Sequence, residues 1–193
     1  MTTPRMDPSL AKRFRSGRVC LDFAHTAETR EWVEPELIYD QAGLERWLAH
    51  LLGAPAVRAE PGDLAAAHRL RTAVLEVARA RTEDRPLAAS HVNIVNAFAA
   101  AAPPVPQLTA AGTATPLVLT VTAGLSAIAR DTIDLLTGPL GHRVRVCAAD
   151  GCAFMFVDAS RPGTRRWCSM ERCGNLAKIR NHRDAKANQT NPV

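Results

Sequence analysis

Four of the five cysteines fall in the last fifty residues, as two C-x4-C pairs: Cys147 with Cys152, and Cys168 with Cys173. Fifteen residues separate the pairs. Zinc takes four soft or borderline ligands at tetrahedral corners, and two short loops each supply one edge of that tetrahedron. Four thiolates fill the coordination shell, so the pattern predicts one structural zinc ion per chain and no open catalytic position. The flanks suit such a site. Val144-Arg-Val-Cys and Phe154-Met-Phe-Val read as two strands of a hairpin, with Cys147 and Cys152 in the knuckle at its tip and Gly151 easing the turn. The second pair opens a helix running to about Lys186, whose free N–H groups favour thiolate sulfur. Leu176, Ile179 and Ala177 are the residues of that helix placed to pack on the hairpin.

Other uses of these cysteines are weaker. Disulfides would require an oxidising compartment. His142 and His182 are further donors, but no cysteine needs replacing. Cys20 lies far away in sequence and reads as a small buried hydrophobe.

The rest of the chain must position this module. Arg18 to Ala24 reads as a short strand or the start of a helix. A helix follows Asp40, a good N-cap, with Leu44, Trp47, Leu48 and Leu51 on one face and Gly53 at its end. Asp63 caps the next, with Leu64, Ala67, Leu70, Val74, Val77 and Ala78 inward and Arg69, Arg71, Arg79 and Arg81 on the other face. A third covers roughly 87–101, carries Ile94, Val95 and Phe98, and stops at the prolines from Pro103. Residues 117–122 are β-branched and read as a strand, which Val105 to Thr109 would pair with across a turn near Gly112. A fourth helix spans about 125–137, with Leu125, Ile128, Ala129, Ile133 and Leu136 inward, closed by Gly138-Pro139. The fold class expected is mainly α with a small β component: a multihelical N-terminal domain over residues 1–141, and a treble-clef-like zinc finger of hairpin and helix over 142–193.

Charge divides the chain in the same place. Between Arg143 and Lys186 stand ten basic residues and four acidic ones, whereas the whole chain carries +5. The basic character is local, and it points to an anionic partner for the C-terminal module. No apolar run approaches the roughly 20 residues that span a bilayer. The polar N-terminus lacks the apolar stretch of a secretory signal. A cytoplasmic location is therefore expected, without membrane attachment.

The stretch Arg165-Arg-Trp-Cys-Ser-Met-Glu-Arg-Cys-Gly-Asn-Leu-Ala-Lys-Ile-Arg-Asn-His-Arg resembles the CGNR zinc-finger family of bacterial proteins. Cys147, Cys152, Phe156, Asp158 and Ser160-Arg161 fit the same pattern. Leu21-Asp-Phe-Ala-His-Thr26 and Ala129-Arg-Asp131 are similar to the ABATE domain that usually precedes this finger. The resemblance implies a stress-linked transcription regulator whose finger binds DNA. Three positions depart from it: Leu176 replaces the motif's arginine, Asn181 a common basic residue, and His25 a usual asparagine.

Arg165, Arg166, Lys178, Arg180, His182 and Arg183 are the expected nucleic-acid contacts. Most would hold phosphate, with Arg180 or Arg183 suited to guanine. One finger is a small interface, so specific binding points to a homodimer. Asp22, His25, Thr26 and Arg30 cluster in sequence and form a candidate small-molecule effector site. No P-loop, dinucleotide fingerprint, nucleophile elbow or zinc-protease motif is present, and no enzyme is expected. Two alternatives stand beside DNA regulation: a zinc module that binds RNA or a protein, and an enzyme using Asp22 and His25.

Overall fold

The computed structural model describes residues 15–27, 36–105, 107–108, 110–112 and 118–180. Their order is α1 (Val19–Ala24), α2 (Gln41–Leu51), β1 (Ala56–Arg58), α3 (Asp63–Thr82), α4 (Ala89–Ala99), β2 (Val118–Thr120) and α5 (Val121–Thr137). A 3-10 turn (Gly141–Arg143), β3 (Val144–Val146), β4 (Met155–Val157) and a wide π-type turn (Met170–Gly174) follow. The last described segment, residues 175–180, is helical and is called α6. The chain is mainly helical, with short strands and a C-terminal four-cysteine module, as expected.

Local chemistry sets the helix starts. The Asp40 carboxylate accepts the Gly43 amide at 2.6 Å and caps α2. Gly43 is required there, because a Cβ would meet the Leu37 carbonyl at 2.8 Å. Leu44, Trp47 and Leu48 are buried, and Trp47 tilts against Phe23 with ring centroids 5.4 Å apart. In α3 the cap is Gly62, and Asp63 is the first helical residue. Its carboxylate reaches back to the Glu60 amide at 2.8 Å, closing the turn from inside the helix. The apolar stripe of α3 is buried from Ala67 to Ala78. Arg71 departs from the solvated face: its guanidinium pairs with Glu36 at 2.5 and 2.9 Å.

Three strand and helix expectations are corrected. Among the described residues of the β-branched run, Val118–Thr120 form a strand, and the Thr120 hydroxyl then caps α5 from Val121 by accepting the Ala123 amide at 3.2 Å. The partner of β2 is β1, in parallel register with Val57 opposite Leu119. Both of those side chains are buried, and Leu108, from the segment expected to pair, stands at an isolated β-bridge. Along α5 the buried stripe runs Leu125, Ile128, Ala129, Thr132 and Leu135, and Ile133 is exposed. Thr132 holds a core position because its hydroxyl donates to the Ile128 carbonyl at 2.9 Å.

The ambiguous segment after Arg18 is a helix. Asp131 of α5 accepts the Cys20 amide at 2.8 Å, and Arg18 bridges Asp131 at 2.7 Å and Asp134 at 2.6 Å. Cys20 is fully buried, and burial, followed by the nearby Asp131 carboxylate, pushes its thiol well up. It is the small core residue expected.

The hairpin is antiparallel, with Val144 opposite Val157 and Val146 opposite Met155. Side chains alternate across a strand, so β4 has two faces. Met155 and Val157, with Val144, belong to the helical core. Phe154 and Phe156 belong to the cysteine cluster. The same three-residue strand thus serves two cores.

Candidate metal centre

The hairpin brings Cys147 and Cys152 together as its register requires. The Cys147 amide donates to the Phe154 carbonyl at 2.9 Å, and the Cys152 amide to the Ala149 carbonyl at 3.0 Å. Gly151 turns the knuckle with φ +67°. Trp167 and Ala149 pack against the cluster as Cys168 approaches. The Ala148 amide donates to the Arg166 carbonyl at 2.8 Å, which ties the two cysteine loops to each other. Cys173 lies in the π-type turn that leads into α6. At Gly174 a Cβ would meet the Met170 sulfur at 2.9 Å, the end of an exposed, flexible side chain that can move aside.

All four Sγ atoms lie within 4.8 Å of one another, and all four cysteines are buried. The Sγ atoms of Cys152 and Cys168 are 3.9 Å apart, those of Cys152 and Cys173 3.8 Å, and those of Cys168 and Cys173 3.5 Å. A tetrahedron with Zn–S of about 2.3 Å has edges of about 3.8 Å. The cluster fits one zinc ion with a filled shell. The Cys168 amide also points at the Cys147 sulfur, 3.4 Å away. Hydrogen bonds from Cys152 and Cys168 push the Cys147 thiol far below its ordinary range, and the contact with Cys147 pushes Cys152 and Cys168 up. One thiolate forms readily and the next must form against its charge; a dication resolves that conflict.

Buried charge braces the loop between the pairs. Asp158 is buried, and its carboxylate accepts the Ser160 hydroxyl at 2.5 Å, the Ser160 amide at 2.9 Å and the Arg165 amide at 2.9 Å. The Ser160 hydroxyl above all, then the two amides and Arg143, hold this carboxyl below the usual range. Arg165 donates from Nε to the Trp167 carbonyl at 2.9 Å and from a terminal nitrogen to the Cys168 carbonyl. Its guanidinium lies over the Phe156 ring, 4.4 Å from the centroid. Arg143 donates to the Ser160 carbonyl at 2.7 Å.

Residues 143–186 match the CGNR zinc finger, and residues 17–139 match the ABATE family, described as "Putative stress-induced transcription regulator". The chain belongs to the ABATE family. No curated protein matches it. Neither of the two matched families is described as an enzyme family. Among the described residues, no helix is long and apolar enough to cross a membrane.

In the ABATE part, the cluster read as an effector site is occupied by internal bonds. His25 is 2% exposed; its Nε2 accepts the Met155 amide at 2.8 Å, and its ring stacks on Phe154 with centroids 4.0 Å apart. The Thr26 hydroxyl donates to the Phe23 carbonyl at 2.8 Å, and Arg71 approaches it at 3.3 Å. Asp22 accepts the Ser16 amide at 3.0 Å. Burial raises its carboxyl to about 6. Arg30 lies outside the described residues. An apolar cleft of about 160 Å³ opens elsewhere, between α3, α4 and α5, lined by Val77, Leu87, Val95 and Ile133 among others. Asp22, His25 and Thr26 do not line it.

His25 therefore does something the sequence reading did not anticipate. The outward N–H groups of β4 belong to Met155 and Val157. One goes to His25, just after α1, and the other to the Ser16 carbonyl, just before it, at 2.7 Å. The two ends of α1 clamp the free edge of the finger's hairpin.

In the CGNR finger the expected cationic contacts separate. Arg165 is committed to the cysteine loop. Arg166, Lys178 and Arg180 are exposed. Arg166 stacks over Trp167 at 5.2 Å, and Arg180 pairs with Asp150 at 2.9 Å. His182 and Arg183 lie outside the described residues, as does the expected continuation of the helix to Lys186. The expected packing of α6 is corrected: Leu176 is 40% and Ile179 50% exposed, and only Ala177 is half-buried. The hairpin's inner face is already filled by Phe154 and Phe156 with the cysteines.

Proposed function

We propose that this protein is a zinc-dependent transcription regulator that binds duplex DNA through its finger. The observation that carries this reading is the division of the finger's charges. Arg165, Arg143 and Asp158 are used inside, which leaves Arg166, beside Trp167, and Lys178 and Arg180 of α6 outside. In a segment of ten basic and four acidic residues, such a surface favours a polyanion. The Arg180–Asp150 pair does not oppose it. Both side chains are mostly exposed, at 55% and 86%, and a surface pair of this kind contributes little and yields to a phosphate.

Zinc has a positioning role here. It joins the hairpin knuckle to the turn that starts α6, and so sets the direction in which Lys178 and Arg180 project. Phosphate contacts orient the protein, and side chains of α6 read base edges. A single finger is a small interface, so we propose that two copies act together on DNA. The helical part supplies a route for regulation, because α1 is fastened to α5 by Arg18 and Asp131 and to β4 by Ser16 and His25. A small effector that displaces α1 would move the finger.

The test is a fluorescence-polarisation titration of the zinc-loaded chain against a random duplex pool at several salt concentrations. Four to six phosphate contacts give a log–log slope of about −4 to −5. Lys178→Ala/Arg180→Ala weakens binding and flattens the slope by about 2. Absence of binding at low salt, with one zinc per chain confirmed, would refute direct DNA binding.

A further inference from the structure

We infer that Leu176 and Ile179 are specificity residues that read thymine methyl groups in the major groove. This inference rests on the DNA-binding reading above and names what the finger selects. At 100° per residue, the half-buried Ala177 marks the inward side of α6. The opposite side falls midway between Asn175 and Ile179, both exposed, with Lys178 and Leu176 on either flank. Ile179 is 50% exposed and Leu176 40%. Beside Asn175, the outward side of this helix thus carries an exposed apolar pair next to Lys178 and Arg180.

The chemistry of that pair is selective by what it lacks. Leucine and isoleucine have no donor or acceptor, so they gain nothing from the polar edges of guanine, adenine or cytosine. Thymine alone among the four bases presents a methyl group in the major groove, and apolar side chains contact it. Residues at i and i+3 have Cβ atoms about 5–6 Å apart. Bases on one strand are about 3.4 Å apart along the axis. The pair therefore spans adjacent or next-adjacent positions. Charge complementarity fixes the class of partner: Lys178 and Arg180, exposed on the same helix, adjoin the pair in sequence and suit phosphates beside a groove. The hairpin does not take these side chains, since its cluster-facing positions are filled by Phe154 and Phe156.

The experiment uses the full zinc-loaded chain. A binding duplex is enriched from a random pool, then remade with deoxyuridine at each thymine position, which removes only the methyl. Wild type is expected to bind the thymine duplex about fourfold more tightly per contacted methyl, with an unchanged salt slope. Leu176→Ala/Ile179→Ala, with one zinc per chain confirmed, is expected to bind both duplexes alike. Binding by wild type that ignores the substitution would overturn the inference and leave the DNA reading standing. The apolar pair would then face a protein. A double variant that keeps full discrimination would also overturn it, because another residue would be reading the methyl. Absence of any DNA binding by wild type removes the DNA reading and this inference together.

Discussion

The imidazole of His25 accepts the backbone amide of Met155 at 2.8 Å, across 130 residues of sequence. The acceptor is Nε2, so the ring is in the tautomer that carries its proton on Nδ1. The bond is buried, and the same ring stacks on Phe154. His25→Ala would leave the Met155 amide unsatisfied and a gap beside Phe154. A loss of about 2–4 kcal/mol is expected in urea unfolding. His25→Gln, which can present an acceptor, should recover part of it.

Adjacent arginines have opposite roles. Arg165→Ala removes donors from the Trp167 and Cys168 carbonyls and a cation from the Phe156 face. It is expected to weaken zinc retention in a chelator competition. Arg166→Ala touches an exposed side chain, and should leave zinc retention unchanged while lowering DNA affinity and flattening the salt slope by about 1. Equal effects of both substitutions on zinc would contradict the assignment.

Chelation should loosen the finger unevenly. Zinc supplies on the order of 10–16 kcal/mol in small finger peptides, so its removal should free the cysteine loops and α6. The hairpin is different, because Val144, Met155 and Val157 are packed in the helical core. Hydrogen exchange on the stripped protein is expected to show fast amides at Ala148 and Cys168. Met155 and Val157 should stay protected by His25 and Ser16. Uniform loss of protection after Arg143 would instead favour an independently folding finger over residues 142–193.

Asp22 makes stability depend on pH in an unusual direction. Burial raises its carboxyl from 3.8 to about 6, so the folded state holds that proton more tightly than the unfolded chain. Its contribution is most favourable below about pH 4 and declines as pH rises to 6. The penalty at neutral pH is at most about 3 kcal/mol, less after screening at its partly exposed edge. Asp22→Asn keeps an oxygen for the Ser16 amide and should be more stable than wild type at pH 7.5. That advantage is expected to vanish near pH 4 in parallel thermal melts.

Much of this was legible because it was local. Cysteine spacing announced the metal site, alternation announced the hairpin, and Asp40 announced α2. The pairing of β1 with β2 was not legible. Ala56-Val-Arg is too short to show a period, and its partner lies about sixty residues on. Arg165 and Arg166 look alike in sequence, and only the course of the loop past Cys168 separates them. His25 carries no local sign of its role, since its partners come from a different module. The fate of Leu176 and Ile179 turned on competition for one surface. Phe154 and Phe156 reach the cysteine cluster first, and α6 is left to present its apolar residues outward.

The clamp on β4 has a further consequence for production of the finger alone. Within the full chain β4 pairs with β3 on one side and with Ser16 and His25 on the other, so it offers no vacant ladder. Cutting the chain near Gly141 would strip that second side. A short strand with two open amides and the bare side chains of Met155 and Val157 would then be presented to other copies. Such an edge templates strand addition between molecules. The excised finger should self-associate even with zinc in place, and restoring residues 15–27, which carry Ser16 and His25, in trans should dissolve it.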